Sequence, residues 1–272
     1  MMVPRGGITV SNPIELDSGQ GAWRPRPSPR AIVFTIALGL ITVLCAALFP
    51  CTQTIRDTST QGASLNHLKQ IALAMDAYHE FYGHLPPPTI CDKEGRPLFS
   101  WRVALLPFME QGCKNLYQLW HLDEPWDSPH NDGLLYEMPR VYSSPWSGID
   151  PPNTTRFQVL VGPGSAFERE GLSWNDFSDG RENTIMVVEA ANPVPWSEPA
   201  DLAYKPTGPM PRFKTHEMPI KYICFHVGHN PSFVAAFGDK TLRFIRADKP
   251  ESSLRALITR NGGEKVDPSS LE

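Results

Sequence analysis

An α+β fold is predicted for this chain of 272 residues: an N-terminal transmembrane helix, then an amphipathic helix packed on an antiparallel sheet, with many loops. Three observations predict it. Residues 31–49, AIVFTIALGLITVLCAALF, hold no charged side chain. Residues 64–82, SLNHLKQIALAMDAYHEFY, place Leu65, Leu68, Ile71, Ala72, Met75, Tyr78 and Tyr82 at steps of three and four, the spacing of one helix face. Downstream come short β-prone runs, FQVLVG, NTIMVVE, FVAAF and TLRFI, separated by turn residues.

The apolar run is 19 residues long. At about 1.5 Å per residue a helix of that length crosses a hydrocarbon core of roughly 30 Å. Its length exceeds a signal-peptide core, and Pro50–Cys51–Thr52 offers no small-residue cleavage site after it. Leu44 before Cys45 and Pro50 before Cys51 do not suit a lipoprotein either. An uncleaved anchor embedded in the lipid bilayer through residues 31–49 is therefore expected. Arg24, Arg26 and Arg30 precede the run, whereas Arg56 after it stands beside Asp57. That asymmetry predicts a single-pass protein of the inner (cytoplasmic) membrane, with the N-terminus cytoplasmic and the C-terminal domain outside.

Residues 1–30, rich in Gly, Pro, Ser and Arg, read as a disordered cytoplasmic tail. Residues 50–63 read as a juxtamembrane linker, or as the continuation of one long helix with a fault at Pro50. Residues 64–267 form the extracytoplasmic domain, and 268–272 a short tail. The formal charge of −4 argues against nucleic-acid binding, which calls for a basic face. Proline, at 28 residues, is about twice its average usage of roughly 5%, which predicts a loop-rich domain.

In the first soluble helix Ser64 is the expected N-cap and Gly83 with Pro86–Pro87–Pro88 the stop. Residues 98–111, LFSWRVALLPFMEQ, should form a buried short strand or helix broken at Pro107, and 138–145, MPRVYSSP, an edge strand between prolines. Phe233–Phe237 and Thr241–Ile245 flank Gly238–Asp239–Lys240 as a hairpin, and 251–260 reads as a closing helix.

No stretch names a reaction. The most chemically dense one is 121–131, HLDEPWDSPHN, where His121, Asp123, Glu124 and Asp127 could serve as a ligand loop around Trp126. Paired carboxylates suit acid–base chemistry and oxygen-rich loops suit Ca²⁺. The spacing fits neither an EF-hand nor a histidine metal motif, so the competing reading is a loop whose acids cap a helix and whose tryptophan fills the core. Neither a metal site nor a cofactor is expected. Cys51, Cys91, Cys113 and Cys224 allow two disulfides in an oxidising compartment; Cys91–Cys113 closes the shortest loop, and free buried thiols are the alternative.

The blocks NHLKQIALAMDAYHEFYGHLP, SWRVALLPFMEQ, HLDEPWDSPHN and SDGRENTIMVVE, followed by His229 and, after nine residues, Asp239, resemble in order a bacterial prepilin/pseudopilin-like family of unknown function with a C-terminal H-x9-D-G motif. The resemblance runs from about Asn66 to about Asp267 and implies a pilin-like domain. The chain departs from that family in three places. Arg30 leads directly into AIVFTIAL without a G-F-T-L-x-E processing site, Lys240 replaces the motif glycine, and Ser144 replaces a cysteine in the Y-x-C-P context. His229 and Asp239 are expected to act structurally, the aspartate in its turn and the histidine tying the strand's entry to nearby backbone.

The functional expectation is a membrane-anchored, pilin-like structural or interaction protein of the bacterial cell envelope, with protein partners there and no catalytic residues. Two alternatives remain open. One is a pseudopilin subunit of a secretion or pilus-type machine. The other is an extracytoplasmic ligand-binding module, with Trp101, Trp120 and Trp126 gripping a sugar or peptide, or a hydrolase using His121, Asp123, Asp127 or His229.

Overall fold

The computed structural model describes residues 29–147, 149–222, 225–264 and 270. The chain divides into two compact units, residues 1–53 and 54–272.

In the first unit the described structure is the opening of helix α1, which spans Pro29–Tyr82. Side chains at 31, 32, 35 and 43–58 lie outside the described residues, and so does the tail expected over 1–30 except Pro29 and Arg30, which open α1. Among the described residues no helix is long and apolar enough to cross a membrane. The anchor expected over 31–49 thus falls largely outside them. Those side chains that are described, Val33, Phe34, Ile36, Leu38, Leu40 and Ile41, are each more than half exposed.

The second unit is a mixed α+β domain. Residues 50–63 lie within α1, which agrees with the reading of that stretch as the continuation of one long helix and not with the linker. Ser64 is accordingly interior to the helix and buried, and its Oγ accepts the Trp146 N–H at 2.9 Å instead of capping a start. Gly83 ends the helix as expected, in the left-handed region at φ 78° with its N–H on the His79 carbonyl.

After α1 come β1 (Thr89–Cys91) and β2 (Pro97–Ser100), an antiparallel pair, then α2 (Trp101–Ala104), a 3₁₀ turn over Leu106–Phe108, α3 (Gln111–Leu119) and α4 (Asn131–Leu134). The edge strand expected over 138–145 is not formed. Two 3₁₀ turns, Arg140–Tyr142 and Pro145–Ser147, stand there. The cause is local: Pro139 and Pro145 lack N–H groups for a ladder, and the Tyr142 and Ser143 amides bond three residues back, to Pro139 and Arg140.

The main sheet is antiparallel. It contains β3 (Thr154–Gln158), β5 (Ile185–Pro195), β7 (His216–Tyr222), β8 (Phe225–Phe237) and β9 (Leu242–Arg246). Its order is β3-β5-β8-β7, with β9 also on β8. Two two-residue strands, β4 (Leu160–Val161) and β6 (Leu202–Ala203), pair in parallel beside it.

Alternation along β8 sorts the core into two layers. Val234 and Ala236 face one cluster, which includes Leu68, Ile71 and Met75 of α1 and Phe157 of β3. Phe233, Ala235 and Phe237 face a second cluster with Ile245, Leu254, Leu257 and Ile258. A register shift in β5 between Ile185 and Val187 lets Met186 and Val187 both serve the first layer. Each buried α1 side chain stabilises by roughly 1.5–3 kcal/mol. The closing helix α5 is shorter than expected, Glu251–Ala256, because the chain turns back to the rest of the domain: Arg260 N–H bonds Gly164 O at 2.8 Å, and the Gly262 and Gly263 amides bond the Asp179 carboxylate.

Candidate functional site

The loop at 121–131 is built around Asn131, a residue that the sequence reading passed over. Its side chain is buried. Its Nδ2 donates to the carbonyls of His121, Glu124 and Pro125 at 3.0–3.3 Å, and its Oδ1 accepts the His121 N–H at 3.1 Å. The loop therefore closes on its own backbone. Glu124 sits between His121 Nδ1 at 2.9 Å and the Ser128 hydroxyl, which donates at 2.7 Å. The Ser128 hydroxyl, then His121, hold the Glu124 carboxyl below its ordinary range. The His121 ring stacks on His130 at 3.5 Å.

Asp123 and Asp127 remain exposed. Among the described residues no group of three or more His, Cys, Asp or Glu side chains could hold a metal ion. Trp126 is half-buried on the first core layer, with its N–H on Leu98 O at 2.7 Å. Trp101 and Trp120 are buried in that layer, so neither presents a face to a ligand as the gripping reading required.

Of the two readings of Cys91 and Cys113, a disulfide or free buried thiols, the free thiols stand, with Cys113 buried on α3 and Cys91 exposed at the end of β1. Their placement in separate elements, one at the surface and one in the core, accounts for this. Burial pushes the Cys113 thiol up to about 11.

Asp239 has the expected turn role: its Oδ1 accepts the Thr241 N–H at 2.9 Å and the Thr241 hydroxyl at 2.6 Å. His229 lies in β8 opposite Pro219, and its side chain lies outside the described residues, as do those of Cys51 and Cys224. The turn is fastened to α1. Asp76 Oδ1 pairs with Arg181 Nη2 at 2.9 Å and its Oδ2 with Lys240 Nζ at 2.5 Å. Lys69 Nζ donates to Lys240 O at 2.7 Å, and the Arg181 guanidinium lies 4.2 Å above the Trp174 ring. Next to it His79 Nε2 accepts the Trp174 N–H at 3.3 Å.

The densest buried polar cluster was not anticipated. The Glu189 carboxylate, fully buried on β5, receives the Ser144 hydroxyl on Oε1 at 2.5 Å and lies 2.6 Å from His216 Nε2 through Oε2. The Trp146 ring covers His216 at 3.5 Å, nearly parallel. Ser64 Oγ is 3.5 Å from Ser144 Oγ, and His67 Nδ1 is 2.9 Å from Ser143 O. The hydroxyl and the imidazole both engage the carboxylate, one on each oxygen. In a nucleophilic triad the imidazole would take the proton from the serine; here both meet the carboxylate, and the cluster joins α1, the 143–146 segment, β5 and β7. The available signal was Glu189, the lone charge within β5.

A second buried pair, Arg102 Nη2 and Asp201 Oδ1 at 2.8 Å, ties α2 to the segment before β6, with the Trp101 Nε1–H shared between both Asp201 oxygens at 3.2 Å. Burial pushes the Asp201 carboxyl up, against the pull of Arg102.

Among the described residues surface clefts flank these clusters; one of about 230 Å³ is lined by Ser143 and Ser144. One of about 550 Å³ lies between α3 and residues 133–140, one of about 430 Å³ between α1 and the α3 entrance, and one of about 380 Å³ beside Phe213 and Phe233. None of these contains the 121–131 carboxylates.

No curated protein and no solved structure matches the chain. A family model matches residues 53–216, more than half of the chain; the match ends at the first residue of β7, so His229 and Asp239 lie beyond it. The chain belongs to the family described as Protein of unknown function (DUF1559).

Proposed function

We propose that this is a membrane-anchored, pilin-like structural or interaction protein of the bacterial cell envelope, with its folded domain outside the cytoplasmic membrane and no catalytic activity. The observation that carries this reading is in the opening of α1. Val33, Phe34, Ile36, Leu38, Leu40 and Ile41 point to different sides of the helix and are all more than half exposed, within a run that has no charge. A helix apolar all round needs either a protein core or a bilayer around it, and the bilayer also fits the arginines at its N-terminal flank.

Two further features support the reading. The amphipathic part of α1 lays Leu68, Ile71 and Met75 against the sheet side chains Phe157, Val187 and Val234, the arrangement that the pilin-like resemblance implies. The buried clusters hold Glu189 with His216 and Arg102 with Asp201, which suits scaffolding better than turnover.

The test is extraction. In membranes prepared from expressing cells, the full chain should stay in the pellet through an alkaline carbonate wash and dissolve in detergent. A variant with Ile36→Lys, Leu38→Lys and Leu40→Lys should partition to the supernatant. Release of the unmodified chain by carbonate alone would remove the anchor from the account.

A further inference from the structure

Among the described residues the outer face of α1 over 73–82 is not covered. Leu73, Ala77 and Glu80 follow one another at helical spacing, with Phe81 beside them; Leu73 is 48% and Phe81 73% exposed. Tyr82, 50% exposed, continues the patch. Phe108 closes it from the neighbouring 3₁₀ turn, 5.9 Å from the Phe81 ring and 6.0 Å from the Tyr82 ring. The cleft of about 430 Å³ opens along this face, floored by Ala74 and Ala77 and walled by Leu73, Phe108 and Met109.

Three features of the patch select among occupants. Its rings meet at 62°, 69° and 78°, so they present edges and notches, not the flat shared face on which a sugar ring stacks. Its area is small. With an aromatic side chain contributing roughly 150–250 Å² at full exposure, Leu73, Phe81 and Tyr82 together offer on the order of 300–400 Å². A stable dimer needs about 800 Å² from each partner, so a second copy meeting on this patch alone falls short. Finally, it is flanked by carboxylates. Glu110 lines the cleft, and Glu80 is exposed on the helix face. Among the described residues neither forms an ion pair; Lys114, four residues beyond Glu110, is not within pairing distance.

We propose that this groove docks a short amphipathic helical segment of another envelope protein, with apolar anchors at i, i+3/i+4 and i+7 seated on Leu73, Phe81 and Phe108 and lysine or arginine side chains facing Glu80 and Glu110. An apolar groove is what helix-in-groove recognition uses, and Phe81, beside the groove against Phe108 and outside its lining, adds an exposed aromatic contact at its end. This inference rests on the interaction-protein reading and specifies the partner's chemistry.

The test uses the full chain in nanodiscs of zwitterionic lipid and a fluorescent, idealised amphipathic helix of leucine and lysine, with empty nanodiscs as the blank. Saturable binding in the micromolar range is expected. Phe81→Ser and Leu73→Ser should each weaken it by about tenfold, Glu110→Gln by severalfold, and a leucine–glutamate helix of the same pattern should bind at least about tenfold more weakly. Both apolar residues are exposed, so an unchanged thermal melt separates lost binding from lost fold.

Equal binding by the Phe81→Ser variant, by the leucine–glutamate helix or by empty nanodiscs would overturn the proposal. So would a concentration-dependent dimer that Phe81→Ser abolishes, since the occupant would then be a second copy. A chain that fails to bind the peptide yet resists carbonate extraction would sink the groove alone and leave the anchor standing.

Discussion

Lys240 Nζ lies 2.5 Å from Asp76 Oδ2, joining the tip of the β8–β9 turn to the C-terminal part of α1. Lys240 is also a non-glycine residue in the left-handed region, at φ 70°. A left-handed position favours glycine, and the ion pair accounts for a lysine there. A side chain there costs about 1–2 kcal/mol. The ion pair, with Lys240 32% and Asp76 13% exposed, returns up to about 1 kcal/mol.

These two terms nearly cancel, which makes the substitutions informative. Lys240→Gly should change unfolding free energy by less than about 0.5 kcal/mol, since strain and pair are lost together. Lys240→Ala keeps the strain and loses the pair, so it should cost about 1 kcal/mol. Chemical denaturation of both variants checks the difference, and a more stable Ala than Gly variant would contradict it.

Glu189 should be the most sensitive buried polar residue of the domain. Glu189→Ala leaves the Ser144 hydroxyl and His216 without the carboxylate they share. Losing one partner of a buried pair costs about 3–5 kcal/mol. Ser144→Ala removes a single donor and should cost about 1–2 kcal/mol. Thermal melts that rank Ser144→Ala as the more damaging change would refute the arrangement.

Much of this architecture is written in local patterns. Leu68, Ile71 and Met75 recur at helical spacing, so their burial against the sheet was legible. Gly238–Asp239–Lys240 between two β-prone runs marked the hairpin, and the apolar run ending at Glu189 marked β5. What stayed hidden depends on distant partners. Arg102 looks like an ordinary helix cation until Asp201, 99 residues later, meets it in the core. Glu189 meets Ser144 and His216 across 45 and 27 residues. The 3₁₀ turns around Tyr142 replaced an expected strand because the flanking prolines withhold ladder donors, which a count of β-prone residues does not register. At 121–131 the acidic residues drew notice, whereas Asn131, whose amide holds the loop, carries no charge to mark it.

Acid should loosen the contact between α1 and the turn before β5. Burial, joined by Arg181, lowers the His79 pKa below its ordinary 6.5 despite Asp76. The folded state then binds fewer protons than the unfolded chain in this window. The contribution is intact above pH 6.5, falls as pH drops from there through the lowered folded value, and levels off below it. His79→Gln should flatten that part of the stability–pH curve. A slope of the opposite sign in the unmodified protein would contradict the assignment.

The free thiols should differ sharply in reactivity. At pH 8 iodoacetamide should modify Cys91 in the native protein and leave Cys113 untouched, because Cys113 is buried and its thiol is held up near 11. Peptide-resolved mass spectrometry reads both sites, and a Cys91–Cys113 cross-linked peptide would be the contrary finding.

The central claim, a standing anchor carrying an extracytoplasmic domain, is tested most directly by the mass of the N-terminal peptide of protein purified from membranes. The account predicts that residues upstream of Ala31 are still attached, with Arg24, Arg26 and Arg30 in the recovered peptides. A new N-terminus at or close to Ala31 would contradict it, and would make a processed pseudopilin that assembles through its apolar helix the better description.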